Sequence, residues 1–104
     1  MRQIYWSHPA IADLHEIDSF IARDNPAAAD RVVEEIRLNV ERLRDFPLLG
    51  HEGLVSGTRE LVVPLFPYVI SYRLRGEAIE VLAILHAERD RARALAERLP
   101  IKDV

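Results

Sequence analysis

Residues 58–86 read TRELVVPLFPYVISYRLRGEAIEVLAILH, and the period of this stretch decides the fold. Apolar side chains recur at every second position. The stretch divides into three strand-like runs rich in Val, Ile, Leu and Tyr: Thr58–Pro64, Tyr68–Arg75 and Ala78–His86. Their separators are short, Leu65-Phe66-Pro67 and Gly76-Glu77. Connections of two or three residues leave no room for a crossover, so the runs are expected to form an antiparallel meander.

Upstream the period changes. PLLGHEGLVSG at 47–57 holds three glycines and reads as a loop. Before it, two amphipathic helices are expected, over about 8–23 and from Pro26 to about Phe46. Ser7 before His8-Pro9 and Asn25 before Pro26 are capping residues followed by a proline in the first turn, where a missing amide hydrogen costs nothing. Ala10, Leu14, Ile17 and Ile21 make one stripe, widened by Ile11 and Phe20. Ala29, Val32, Val33, Ile36, Val40 and Leu43 make the other. So short a link makes the helices an antiparallel αα-hairpin running from about 8 to 46. Arg2–Ser7 reads as a short N-terminal strand. Glu88–Leu99 reads as a short C-terminal helix with Ala92, Leu95, Ala96 and Leu99 apolar and Pro100 as its stop. The expected order is β-α-α-β-β-β-α, an α+β fold with the helix hairpin on one face of the sheet at about 58–86, in one domain spanning 1–104. Trp6, Phe20, Phe46 and Tyr72 are expected in its core.

Composition narrows the chemistry. The chain has 104 residues, 30% of them charged, with a formal charge of −3. There is no cysteine, which excludes disulfides, thiolate metal sites and thiol nucleophiles. No secretion signal or membrane-length apolar run is visible, so a cytoplasmic protein without membrane contact is expected. Thirteen of the 14 basic residues are arginines, and the positive charge leans to the C-terminal half: residues 1–57 sum to −4 and residues 58–104 to +1. An acidic chain is poorly suited to unspecific nucleic-acid binding. His8 and His15 lack a third metal ligand nearby, and Ser7, Ser19, Ser56 and Ser71 lack the paired base of a hydrolase. Neither a metal nor a cofactor is implied.

Several motifs, taken in order, resemble the ParE/RelE superfamily of bacterial type II toxin–antitoxin toxins. They are Pro9, Ala12-Asp13-Leu14 and Ile17; Asn25-Pro26-Ala27-Ala28-Ala29; Pro47 and Gly50; Gly57-Thr58-Arg59-Glu60-Leu61-Val62; Pro67-Tyr68-Val69-Ile70-Ser71-Tyr72-Arg73; and Leu85-His86-Ala87-Glu88-Arg89. The resemblance runs from about residue 3 to 93. It implies a toxin held in a hetero-oligomer by a cognate antitoxin that has a DNA-binding N-terminal domain. Within the superfamily, RelE-like members are ribosome-dependent mRNA endoribonucleases, and ParE-like members poison DNA gyrase. Cleaving RNA needs an acid, a base and cations placed on the phosphorane. Glu60-Leu61-Val62 and Val69 stand where RelE-like toxins carry lysine and arginine, so the resemblance favours the ParE-like branch, with gyrase as target and no catalytic residue.

Candidate side chains follow. Target contact is assigned to Arg59, Tyr68, Arg73, Arg89 and Arg93. The endoribonuclease alternative would use His86 with Arg59 and Arg89. A third reading is an inactive toxin that serves only as antitoxin partner or corepressor. Set against these are structural readings: Arg59 and Arg73 paired with Glu60, Glu77 or Glu80 across the sheet, and His86 satisfying a backbone carbonyl at a strand end. The meander places Arg59 and Arg73 at one end of the sheet and His86 at the other.

Overall fold

The computed structural model describes residues 2–88. Its elements are β1 (Gln3–Trp6), α1 (His8–Ala22), α2 (Pro26–Arg42), β2 (His51–Glu52), β3 (Arg59–Val62), β4 (Tyr68–Arg75) and β5 (Ala78–His86). The expected C-terminal helix at 88–99 lies outside the described residues except for Glu88.

Both helix starts follow from their caps. Ser7 Oγ accepts from the Ala10 amide at 3.1 Å, and Asn25 Oδ1 accepts from the Ala28 amide at 3.1 Å. Each removes one of the orphan donors of a first turn. Helix α2 stops at Arg42, with Leu43 as its C-cap, four residues short of the expected end. Turns over 43–45 carry the chain to Pro47, so the proline does not end the helix; it stands five residues beyond it.

The strands form a five-stranded mixed sheet in the order β1-β5-β4-β3-β2. The β3–β4–β5 meander is antiparallel as expected, and Gly76 at φ +60 makes the tight β4–β5 turn. Two features were not legible. β1 pairs parallel with β5, from Gln3 opposite Ala78 to Trp6 opposite Val81. The glycine-rich loop contributes β2, two residues paired with β3.

The core lies between the helix hairpin and one sheet face. Ala10 and Leu14 of α1, with Val32, Ile36, Val40 and the capping Leu43 from α2, pack on Ile70, Tyr72, Ile79, Val81 and Ile84. Trp6 packs against this cluster, and Tyr72 is fully buried within it. Phe20 and Phe46 do not join it. They are 67% and 61% exposed. Phe20 lies toward the end of α1 on its outer side, within reach of the Arg23 guanidinium (5.7 Å to the ring centre). Phe46 lies past the end of α2, where the helical stripe no longer dictates direction.

One irregularity ties α1 to the sheet. In β5, Val81 opposes Tyr72 and Ala83 opposes Ser71, leaving Leu82 as an extra, bulged residue. β1 ends at Trp6, so beyond Val81 that side of β5 has no strand beside it. The cap of α1 and a side chain within it take over. The Ser7 amide donates to Val81 O at 3.0 Å, and Ser7 Oγ donates to Leu82 O at 3.1 Å. Asp13, buried at 8% exposure, accepts from the Ile84 amide at 2.9 Å. An aspartate on the buried side of an amphipathic helix is thereby explained: it satisfies a buried strand donor that would otherwise be left unpaired.

Candidate functional site

The candidate residues separate onto the two ends of the sheet. Arg59 opens β3 opposite Tyr72, and Arg73 follows Tyr72 on β4 opposite Glu80. Tyr68 and His86 are paired at the other end. Four residues of extended chain between Tyr68 and Tyr72 span roughly 13 Å. Strand alternation also sends Arg59 and Arg73 to opposite faces, because Arg59 sides with Tyr72 and Arg73 does not.

Arg59 holds a loop. Its Nε and Nη2 donate to Gly50 O at 3.0 and 2.6 Å, and Nη2 also reaches Leu48 O at 3.3 Å. The expected carboxylate partner is replaced by backbone carbonyls, because β2 brings residues 48–52 alongside β3. Tyr72 completes the lock: its hydroxyl donates to Pro47 O at 2.8 Å and accepts from the buried Gly50 amide at 2.9 Å. Gly50 is required by this closeness. A Cβ there would sit 2.7 Å from Glu60 O and 2.9 Å from the Tyr72 ring. Held in this way, the loop displays Leu48 at 63% exposure beside Phe46 and Leu49.

Arg73 makes the ion pair that its sequence neighbours suggest, Nε to Glu80 Oε1 at 2.8 Å, and Arg75 approaches the same oxygen at 3.6 Å. His86 departs from expectation. Its Nδ1 accepts from the Glu88 amide at 3.2 Å instead of serving a carbonyl, and its ring meets Tyr68 edge-on with centroids 5.9 Å apart. Arg89 and Arg93 lie outside the described residues. A depression of about 410 Å³ runs beside Glu52, Thr58 and Arg59. Among the described residues, no three His, Asp or Glu side chains are grouped to hold a metal ion. No described helix is long and apolar enough to cross a membrane.

Sequence reasoning placed Tyr72 only as core and missed its hydroxyl. The signal available was the pair Pro47…Gly50: a proline and a glycine bracketing two leucines before a strand mark a loop that must be pinned. Glu60, read from sequence only as an ion-pair partner for Arg59 or Arg73, is buried at 1% exposure. It lies between Arg59 and Leu61, a position where alternation alone does not tell a covered sheet face from an open one.

The family model described as the ParE toxin of the type II toxin–antitoxin system parDE matches residues 4–91. The chain belongs to the ParE toxin family. The match takes in both helices and every described strand but for Gln3, the first residue of β1. Among curated relatives, "Putative toxin Y4kP" of Sinorhizobium fredii is 39% identical over 85% of this chain and 91% of its own length. Toxin RelE2 of Caulobacter vibrioides is 32% identical over 86% of this chain and 99% of its own. Among solved structures, a chain of the chromosomal ParDE toxin–antitoxin system from P. aeruginosa superposes with a TM-score of 0.76. It is 27% identical and covers 85% of this chain and 98% of its own. In this ParE-family chain, Arg59 of GTRE and the tyrosine Tyr72 of PYVISYR hold the same loop at Gly50.

Proposed function

We propose that this chain is a growth-inhibiting toxin that acts by binding DNA gyrase and is neutralised in a hetero-oligomer with a cognate antitoxin carrying a DNA-binding N-terminal domain. Membership of the ParE family supports the toxin reading, and the similarity to a ParDE system supports the antitoxin. The observation that favours binding over RNA cleavage is the separation of Arg59 from His86. Cleavage would require an acid and a cation converging within about 3 Å of one phosphate. Arg59 is instead committed to the carbonyls of Gly50 and Leu48, roughly 13 Å along the strands from His86. Arg73 is neutralised by Glu80. Of the assigned contact residues, this leaves Tyr68, Arg89 and Arg93 for the target.

The deciding experiment uses the purified full chain in two assays. Inhibition of gyrase supercoiling with translation unaffected is the expected outcome. Site-specific mRNA cuts on translating ribosomes, abolished by His86→Ala, would replace this reading with the endoribonuclease. Inactivity in both assays and in growth would leave an antitoxin partner without toxicity. The double substitution Arg89→Ala with Arg93→Ala is expected to reduce growth inhibition while leaving the melting temperature unchanged.

A further inference from the structure

Helices α1 and α2 lie on one face of the sheet, the face that carries Ile70, Tyr72, Ile79, Val81 and Ile84. Alternation puts Glu60 of β3, Val69 and Ser71 of β4 and Ala83 of β5 on the other face, with Glu60 opposite Ser71 and Ser71 opposite Ala83. An antiparallel sheet can leave such a face to water. This one does not. Glu60 and Val69 are 1% exposed, and Ser71 and Ala83 not at all. The loop after β2 approaches Glu60, whose Oε2 accepts from the Leu54 amide at 3.5 Å, but Val69 and Ala83 stand one and two strands farther on.

The covered strip has edges. On the same face, Val62 of β3 is 56% exposed and Tyr5 of β1 is 58% exposed. The cover therefore runs along β4 and β5 and over the middle of β3, a width of about 10 Å at the usual strand spacing. One helix is that wide. The chain reaches this strip directly after β5. The Ala87 amide donates to Pro67 O at 2.8 Å, so the backbone leaves the sheet beside the start of β4, next to Val69 and Leu85. Ala92, Leu95, Ala96 and Leu99 then recur at helical spacing. Twelve helical residues extend about 18 Å, against roughly 17 Å of β5 from Leu85 back to Glu80. Charge agrees as well. Side chains 89–104 sum to +2, with Arg89, Arg91, Arg93, Arg98 and Lys102 against Asp90, Glu97 and Asp103, and the strip has the Glu60 carboxylate at its centre.

We propose that residues 89–99 fold back over the second face of the sheet and are its cover, with Ala92, Leu95, Ala96 and Leu99 against Val69, Ser71 and Ala83 and an arginine beside Glu60. A second copy or an antitoxin segment is disfavoured as the occupant, because the strip is already buried in a single chain. The inference stands apart from the gyrase reading. It ties the segment that carries Arg89 and Arg93 to the sheet.

The chain has no cysteine, so single thiols can report the cover in the full-length toxin. Ser71→Cys should react with a thiol reagent at least about 100-fold more slowly than Val62→Cys on the same face. Adding Leu95→Asp and Leu99→Asp removes two apolar contacts and should speed the Ser71→Cys reaction by about 10-fold or more, with Val40→Cys under the helices still protected. A second set leaves most of the stripe intact and does not depend on the Asp pair folding. Ser71→Cys is combined with Ala92→Cys, Leu95→Cys, Ala96→Cys or Leu99→Cys in turn and oxidised mildly. At least one pair should close a disulfide within one chain, and Ser71→Cys with Arg93→Cys, which lies off the stripe, should not. Ser71→Cys reacting as fast as Val62→Cys overturns the proposal, and so does the absence of any disulfide from the stripe. Disulfides that join two chains would give the face to a second copy. Protection of Ser71→Cys that appears only when antitoxin is added would give it to the antitoxin. Either result overturns the proposal.

Discussion

Replacing Tyr72 by phenylalanine tests whether the 47–50 loop is held by the hydroxyl. The ring stays, so no cavity opens, and only the two hydrogen bonds are lost. The Gly50 amide is buried and has no other partner in the described structure, so its loss costs about 1–3 kcal/mol. Pro47 O lies nearer to water and adds roughly 0.5–1 kcal/mol. A loss of about 2–3 kcal/mol is expected. Unfolding entropy of about 2.1 cal/mol/K per residue, over 104 residues, makes each kcal/mol worth roughly 4–5 °C. Tyr72→Phe should therefore melt about 10 °C below the parent by circular dichroism. Limited proteolysis should cut within 46–50 faster, because freeing the loop exposes its backbone without unfolding the sheet. A melting temperature within about 3 °C of the parent and an unchanged cutting rate would refute the lock.

Arg59→Lys should cost roughly 1–2 kcal/mol, because one ammonium cannot reproduce the fork on Gly50 O and the reach to Leu48 O. Combined with Tyr72→Phe, the loss should be less than additive in thermal melts, since both changes free the same loop. Asp13→Ala should destabilise by about 1–3 kcal/mol and speed hydrogen exchange of the Ile84 amide, which loses its acceptor. Gly50→Ala should fail to reach the parent's melting temperature by a margin at least as large as that of Tyr72→Phe, because the new Cβ meets strand backbone that cannot yield without moving β3. Phe20→Ser should change stability by less than about 0.5 kcal/mol in denaturant titration, as its ring is largely in water.

The helices and the meander were legible because their signals are local. A capping residue followed by proline fixes where a helix begins, and a two-residue turn with glycine fixes an antiparallel neighbour. Strands β4 and β5 accordingly fall where their alternation ends. The parallel pairing of β1 with β5 is a relation between residues some 75 positions apart, which no local period encodes. The same applies to Asp13. Its carboxylate interrupts the apolar face of α1, and its purpose appears only when Ile84 is set beside it. For the candidate site, sequence separated Arg59 and Arg73 from His86 through meander geometry alone. It did not supply the partners of Arg59, because carbonyl oxygens leave no trace in a sequence. It also placed Phe20 and Phe46 inside on residue type, whereas helix direction and the early end of α2 put both in water.

The strand order has a consequence in time. As the chain is synthesised, β1 and the two helices come first, and the helices meet through local contacts. Their sheet partners, Ile79, Val81 and Ile84, arrive some seventy residues after Trp6. Non-local pairing of this kind pays its loop-closure entropy late and forms slowly. Until residues 81–84 are available, Ser7 and Asp13 lack their strand partners, and the part of the hairpin that packs on β5 stays uncovered. A chain interrupted before β5 is thus an unclosed helical hairpin with an exposed apolar stripe, suited to recognition by chaperones and proteases.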